Sequence, residues 1–268
     1  MKEKKLRLAL LGKDVSQSSS DKIHRFILGK KGYEVEYERV SALSSDFDFA
    51  VRRLLGDFDG FNVTIPYKRD IMEYLDGVEG DAFSFGAVNT VVCGSRLGYN
   101  TDGVGFLQML RFAGVDVAGK TCLIVGAGGA GRSVATTLKQ SGASVSLYRR
   151  NRKELEETCL ELGVSVAEKL TGYQIIINAS GVGMHDTEGI SPVGSESFFG
   201  AEAAIDLIYR PKQSEFLRLA KEQGIRTVNG EAMLFFQAYY SDCLYLGQEP
   251  SKSEMDELYL AYLQGEKQ

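Results

Sequence analysis

Thr121-Cys-Leu-Ile-Val125 has the length and β-branched character of a buried strand, and Gly126-Ala-Gly128-Gly129-Ala130-Gly131 follows it at once. Val134, Ala135 and Leu138 then recur at helical spacing. Three glycines in G-x-G-x-x-G register between a strand and a helix leave few folds open. The first permits a tight turn, the second lets a pyrophosphate reach the backbone, and the third lets helix and strand pack closely. Amide N–H groups and the helix dipole at that helix start then favour phosphate. A turn that merely packed would give up backbone entropy three times for no return. A dinucleotide site built on Gly126, Gly128, Gly129, Ala130 and Gly131 is therefore expected.

The next strand end indicates which dinucleotide. An NAD-preferring site carries Asp or Glu about 20 residues past the glycines, on the ribose 2′-hydroxyl. Here the corresponding stretch reads Tyr148-Arg149-Arg150-Asn151-Arg152. A carboxylate would repel a 2′-phosphate, whereas arginines bind it bidentately. A plain solvated helix start is the competing reading, and basic residues there oppose the dipole. The expected cofactor is NADP(H), held by Arg149, Arg150 and Asn151.

Apolar runs alternate with amphipathic stretches on both sides of this site, the pattern of βα units and a largely parallel sheet. With 268 residues the chain exceeds the usual size of one domain. The expected fold class is α/β. An N-terminal α/β substrate domain with a mainly parallel sheet spans 1–101, and a Rossmann-like NADP-binding domain spans 102–228. Two closing helices, Glu231 to Leu246 and Ser251 to Leu263, have no strand between them and are expected to complete the first domain as 229–268. Ser251 and Glu254 make a capping box for the last one.

Composition excludes several other classes. A net charge of −5 gives no reason to expect nucleic acid. No apolar run approaches the roughly 20 residues that cross a bilayer, and the apolar stretch after the basic start is broken at Gly12, too soon for a signal peptide. Cys93, Cys122, Cys159 and Cys243 are widely spaced, and with two histidines, His24 and His185, no metal cluster is expected. The histidines read as structural or surface residues. A cytoplasmic enzyme with a small-molecule substrate, as monomer or homodimer, is expected.

The chemistry must come from the first domain. Asn62-Val-Thr64-Ile-Pro66-Tyr-Lys68 closes a strand, and Gly86-Ala-Val-Asn89-Thr90 and Asn100-Thr101-Asp102-Gly103-Val-Gly105 add an amide and a carboxylate at later strand ends. Ligands of parallel α/β sheets bind at such ends. Together these segments resemble the shikimate dehydrogenase family over nearly the whole chain. The N-V-T-x-P-x-K, G-A-V-N-T and N-T-D-G-x-G motifs are the most specific. Asn178-Ala-Ser180-Gly-Val-Gly183-Met184, Asp206-Leu-Ile-Tyr209-Arg-Pro211 and the late Gly230, Met233, Leu234, Gln237, Ala238 series follow in the family's order. The chain departs from the pattern in Ser19, where proline is usual, in Gly181, in lacking tryptophan after the last motif, and in Arg149-Arg150-Asn151 for N-R-T.

The resemblance implies NADPH-dependent, reversible reduction of 3-dehydroshikimate to shikimate, a step towards the aromatic amino acids. It implies Lys68 and Asp102 as catalytic pair. Ser16, Ser18, Thr64, Asn89, Tyr209 and Gln237 would be substrate contacts, with Ser180 and Gly230 added to the cofactor site. Taken singly, each has a plainer role: Lys68 as a solvated helix start, Asp102 as a helix cap, the serines as a turn, Gln237 as a solvated helix residue. The physics suits the shared role. Hydride addition leaves negative charge on a carbonyl oxygen, and an ammonium beside it stabilises that charge and delivers a proton. A quinate or mixed quinate/shikimate dehydrogenase, or a catalytically silent NADP-binding sensor, are the alternatives. Changing Arg149 to Asp and Arg150 to Ala together is expected to erode the preference for NADPH over NADH, measured as the ratio of their dissociation constants. An unchanged ratio would remove the arginines from the 2′-phosphate site.

Overall fold

The structure is a computed structural model that describes residues 4–265. The expected domain ends at 1 and 268, and the first residues of the basic start, lie outside the described residues. In chain order the elements of the first part are β1 (Lys4–Gly12), α1 (Ser20–Lys30), β2 (Tyr33–Ser41), α2 (Phe47–Asp57), β3 (Gly60–Val63), β4 (Gly77–Val78), α3 (Asp81–Phe85), β5 (Thr90–Val92), β6 (Leu97–Tyr99) and α4 (Asp102–Phe112). There follow β7 (Thr121–Val125), α5 (Gly129–Gln140), β8 (Ser144–Tyr148), α6 (Arg152–Leu162), β9 (Ser165–Val166), β10 (Ile175–Asn178), β11 (Ala203–Asp206), α7 (Glu215–Glu222) and β12 (Arg226–Asn229). Helices α8 (Glu231–Leu246) and α9 (Lys252–Gly265) end the series. No helix among the described residues is long and apolar enough to cross a membrane.

The chain divides into two compact units. One comprises 1–105 with 234–268, the other 106–233. Both divisions fall inside helices, α4 and α8, rather than at the strand ends where the sequence suggested boundaries.

The first unit holds a six-stranded sheet in the order β2-β1-β3-β5-β6-β4. β1 pairs in parallel with β2 and β3, while β5 runs antiparallel to both β3 and β6. The parallel half is buried by apolar residues on successive positions, with Leu8, Ala9 and Leu11 fully covered. Phe47, Val51 and Leu54 of α2 pack on it at helical spacing with Phe61 and Val63 of β3. Tyr67 stacks on Phe47 at 4.3 Å and donates its hydroxyl to the Ala42 carbonyl at 2.6 Å. That anchor fixes the segment leading into Lys68.

The C-terminal helices pack in this unit through aromatic side chains. Phe26 of α1 meets Tyr262 edge-on at 5.4 Å, and Phe235 meets Tyr259 at 5.0 Å. A Cβ on Gly60 would come within 2.3 Å of the Tyr245 ring, so β3 lies directly under α8. Buried His24 is held at 2.6 Å by buried Asp242, and its ring stacks on Tyr37. The structural reading of His24 is thus realised as an α1–α8 tie, and burial pushes the Asp242 carboxyl above its ordinary range. The capping box of α9 is only half made. The Glu254 amide donates to Ser251 Oγ at 3.5 Å, but the Glu254 carboxylate turns to Lys31 and to the Tyr239 hydroxyl. Tyr239 in turn accepts the Ser251 amide at 3.0 Å.

The second unit is a parallel sheet in the order β12-β11-β10-β7-β8-β9. Counted from β7 this is the doubly wound order 3-2-1-4-5-6, whose direction reverses between β7 and β10. Both glycines flanking the first turn are required sterically. Gly126 has φ of 111° and lies against Ala179 and Ser180 beyond β10, where a Cβ would meet backbone at 2.6 Å. A Cβ on Gly131 would stand 2.1 Å from the Gly126 carbonyl oxygen, whereas one on Gly128 would meet nothing within 4 Å. Beyond the neighbouring strands, buried Asp206 accepts from Asn178 Nδ2 at 3.1 Å, from the Ile208 amide at 3.0 Å and from Ser214 Oγ, which caps α7. This network locks the ends of β10 and β11, and burial raises the Asp206 carboxyl above its usual range.

Several short elements have no clear periodic signal: β4, α3 and β9 span two, five and two residues. Strands β5 and β6 are three residues each, and the residues flanking them, Asn89 and Asn100, turn to the site. Gly131→Ala is expected to cost about 1–3 kcal/mol of unfolding free energy by overpacking. Gly128→Ala, with open space around it, should change stability by less than about 0.5 kcal/mol. Urea unfolding of the two variants checks this; equal losses would refute the packing role of Gly131.

Candidate active site

In the first unit, three strand ends and one helix converge on a single carboxylate. Asp102 opens α4, and its amide donates to Asn100 Oδ1 at 3.0 Å. Asn100 is fixed in turn by donating Nδ2 to the Ala87 carbonyl at 2.8 Å. The two oxygens of Asp102 are divided between partners: Oδ2 takes Lys68 Nζ at 2.6 Å and Oδ1 takes Asn89 Nδ2 at 2.8 Å. Lys68 arrives by way of its own backbone, whose carbonyl accepts the Val88 amide at 2.7 Å. Asn89 also donates to Gln237 Oε1 at 3.1 Å, while its Oδ1 accepts the Thr101 amide at 2.9 Å and the Thr90 hydroxyl at 2.9 Å.

Gln237 is therefore not a solvated helix residue. Its helix comes close because Gly105 has no side chain: a Cβ there would meet Gln237 backbone and Cβ at 2.9 Å. The same face of α8, one turn on, carries Ser241, whose hydroxyl lies 2.8 Å from Thr90 Oγ1 and 3.2 Å from Thr101 Oγ1, and accepts Asn62 Nδ2 at 3.2 Å. Thr101, Asn62 and Ser241 belong to this network although no role was expected for them. Ser241 stands at i, i+4 from Gln237 on one helix face, a spacing too common to mark it in the sequence.

Burial sharpens the electrostatics. The Asp102 side chain is 4% exposed and that of Lys68 16%, so the pair is nearly dry while the lysine side chain keeps some exposure. An ammonium has three donors and Asp102 takes one. Among the described residues no group of three or more His, Cys, Asp or Glu could hold a metal ion.

The loop from β1 to α1 separates the expected serines. Ser16 donates both its amide, at 3.0 Å, and its hydroxyl, at 2.7 Å, to Asp14 Oδ1. Ser18 instead lies beside Ser20, with hydroxyl oxygens 3.1 Å apart. The sequence could not choose between these pairings, because both have the same i, i+2 spacing. Thr64, at the end of β3, donates its amide to the Leu11 carbonyl at 2.8 Å and lays its methyl over Gly12.

The second unit offers a cradle that fits a dinucleotide phosphate. α5 starts at Gly128 with no side-chain cap, and the open side of Gly128 leaves its backbone approachable. Ser180, across the switch point, donates its hydroxyl to Asn178 Oδ1 at 2.7 Å. Gly230 ends β12 so close to Leu207 that a Cβ would stand 2.2 Å from its carbonyl oxygen. Tyr209 lies just past β11, half-buried. At the end of β8, Arg149 pairs with Glu154 at 2.5 Å and Arg150 is exposed. Asn151 caps α6, accepting the Glu154 amide at 3.4 Å.

Comparison with known proteins agrees with this arrangement. Residues 10–91 match the family described as "Shikimate dehydrogenase substrate binding domain". Residues 100–185 match "D-isomer specific 2-hydroxyacid dehydrogenase, NAD binding domain". A protein of Thermus thermophilus named shikimate dehydrogenase (NADP(+)) is 36% identical over 256 residues, spanning 94% of this chain and 97% of that one. A solved structure of shikimate 5-dehydrogenase from Thermus thermophilus, in complex with NADP(H) and shikimate, superposes with a TM-score of 0.87 at 35% identity, covering 94% and 98% of the two chains. Shikimate dehydrogenase 1 from Peptoclostridium difficile gives 0.86 at 32% identity, covering 96% and 97%. In sequence over nearly its whole length, and in fold, the chain belongs to the shikimate dehydrogenase family.

Proposed function

We propose that this protein catalyses the reversible, NADP-dependent reduction of 3-dehydroshikimate to shikimate, with 1–105 and the C-terminal helices as substrate domain and 106–233 as cofactor domain. The observation that carries the reading is the Lys68–Asp102 pair at 2.6 Å, braced by Asn89 and partly open. The relatives named for this activity, one of them solved with NADP(H) and shikimate, support it.

A dinucleotide held by its pyrophosphate at the glycine cradle would supply the hydride from its nicotinamide ring. Every other part of the step falls to side chains of this chain. Lys68 Nζ stands beside the substrate carbonyl oxygen, stabilises the negative charge that develops there and passes it a proton. In the oxidising direction the same nitrogen receives that proton back. Asp102 keeps the amine oriented through Oδ2, and Asn89 keeps Asp102 oriented through Oδ1, so neither group reorganises during the step.

Thr64, Asn89 and Gln237 present hydroxyl and amide groups suited to ring hydroxyls. A pocket with such groups discriminates against analogues that leave them unpaired. Ser18 takes the substrate carboxylate together with Ser20, while Ser16, committed to Asp14, braces the loop. Tyr209, half-buried just past β11, contacts the substrate from the cofactor unit. Gly126, Gly128, Gly129, Ala130 and Gly131 cradle the pyrophosphate, with Ser180 and Gly230 at its flanks. Arg149 and Arg150 face the 2′-phosphate, Arg149 exchanging Glu154 for it, and Asn151 holds the helix start.

Purified protein given shikimate and NADP⁺ is expected to generate the absorbance of reduced nicotinamide. Lys68→Ala should lower kcat by at least about a hundredfold while NADPH binds with an unchanged dissociation constant. Turnover surviving in Lys68→Ala, or a wild type inert towards shikimate, would refute the reading.

A further inference from the structure

Side chains of β2 reach the serine loop from outside: Ser41 takes its Val15 amide and Arg39 takes two groups further along. Within the loop, the Ser18 amide donates to the Val15 carbonyl at 3.1 Å and the Ser20 amide to Ser18 Oγ at 3.2 Å. At its base the Lys13 amide reaches the Ile65 carbonyl at 3.1 Å and the Val15 amide reaches Ser41 Oγ at 3.2 Å. The far end of the loop runs into α1, which starts at Ser20. Arg39 ties the loop and that helix start to one point on β2. It sits on β2, in register with Leu10 of β1. Its Nη1 donates to the Ser16 carbonyl at 2.7 Å, and its Nη2 pairs with Asp21 Oδ1 at 2.7 Å.

These two attachments stand on either side of Ser18 and Ser20. Ser16 precedes the hydroxyl pair and Asp21 follows it. A guanidinium is planar and presents its donors in a rigid fork, so grasping both partners sets the distance between them. The segment from 16 to 21 is then a span with both ends pinned to one group, and the hydroxyls it carries point from a fixed arch. A lysine could hold one end but not both, since its ammonium is a point charge on a flexible stem.

We propose that Arg39 is a positioning residue for the substrate's carboxylate: it straps the serine loop so that Ser18 and Ser20 are presented together. The inference rests on the assignment of those hydroxyls to the carboxylate. Arg39 and Asp21 are partly exposed, with side-chain exposures of 34% and 24%. Such pairs add little to global stability, so the strap acts on the loop rather than on the fold.

Two readouts on Arg39→Ala, Arg39→Lys and Asp21→Asn test this. In steady-state kinetics Arg39→Ala should raise KM for shikimate about tenfold, as loss of charge-assisted bonds would. Its kcat and its KM for NADP⁺ should stay within about twofold of wild type. Arg39→Lys should recover part of the loss, and Asp21→Asn should show a smaller rise than Arg39→Ala. In hydrogen exchange, the backbone amides of 16–21 should exchange about tenfold faster in Arg39→Ala, with the sheet amides unchanged. A shikimate KM within about twofold of wild type, or a fall in kcat with KM unmoved, overturns the proposal. A wild type without activity on shikimate removes the functional reading instead. The strap is then decided by exchange alone, where unchanged rates at 16–21 overturn it.

Discussion

The carboxylate of Asp102 is the point on which the first unit's site depends. It is almost completely buried, and a lone buried carboxylate would be expensive. Its two oxygens are both engaged, one by the Lys68 ammonium and one by the Asn89 amide. That division has consequences on each side. Towards Lys68 it fixes a cation in a nearly dry place. Towards Asn89 it requires an amide whose own oxygen is occupied, which the Thr101 amide and the Thr90 hydroxyl provide. Removing one member leaves another buried polar group unpaired, so the cluster acts as a unit.

The same logic explains the loops around it. Gly105 lets α8 approach until Gln237 reaches Asn89, and Tyr67 anchors the chain just before Lys68. In the second unit the controlling constraint is steric rather than electrostatic. Gly131 nests against the Gly126 carbonyl and Gly126 against the turn after β10, which leaves Gly128 as the open glycine. Asp206 then does for β10 and β11 what Asp102 does for the first unit: one buried carboxylate, fully engaged, ties loop ends together.

Much of this was legible from the chain. The glycine register, the strand before it and the arginines after the next strand identify the cofactor unit, because each is a local signal with a local physical cause. The Lys68, Asn89 and Asp102 set was legible only as motifs in order; no periodicity says that residues from separate strand ends share one carboxylate. Ser241, Thr101 and Asn62 were not legible, since a serine on a helix and an asparagine in a strand have ordinary readings. The pairings in the serine run were not legible for a different reason: the i, i+2 spacing repeats there, and only the fold of the loop pairs Ser16 with Asp14 and Ser18 with Ser20. Short elements such as β4 and β9 follow pairing with neighbours and leave no pattern of their own.

The account stands on the negative charge of Asp102 holding the Lys68 amine in place. The most direct test is the rate of NADP⁺ reduction by shikimate in Asp102→Asn, which keeps the shape of the side chain and removes its charge. The account predicts a fall in kcat of at least about a hundredfold, in a variant that far-ultraviolet circular dichroism shows to be folded. A variant that turns over at the wild-type rate would contradict it.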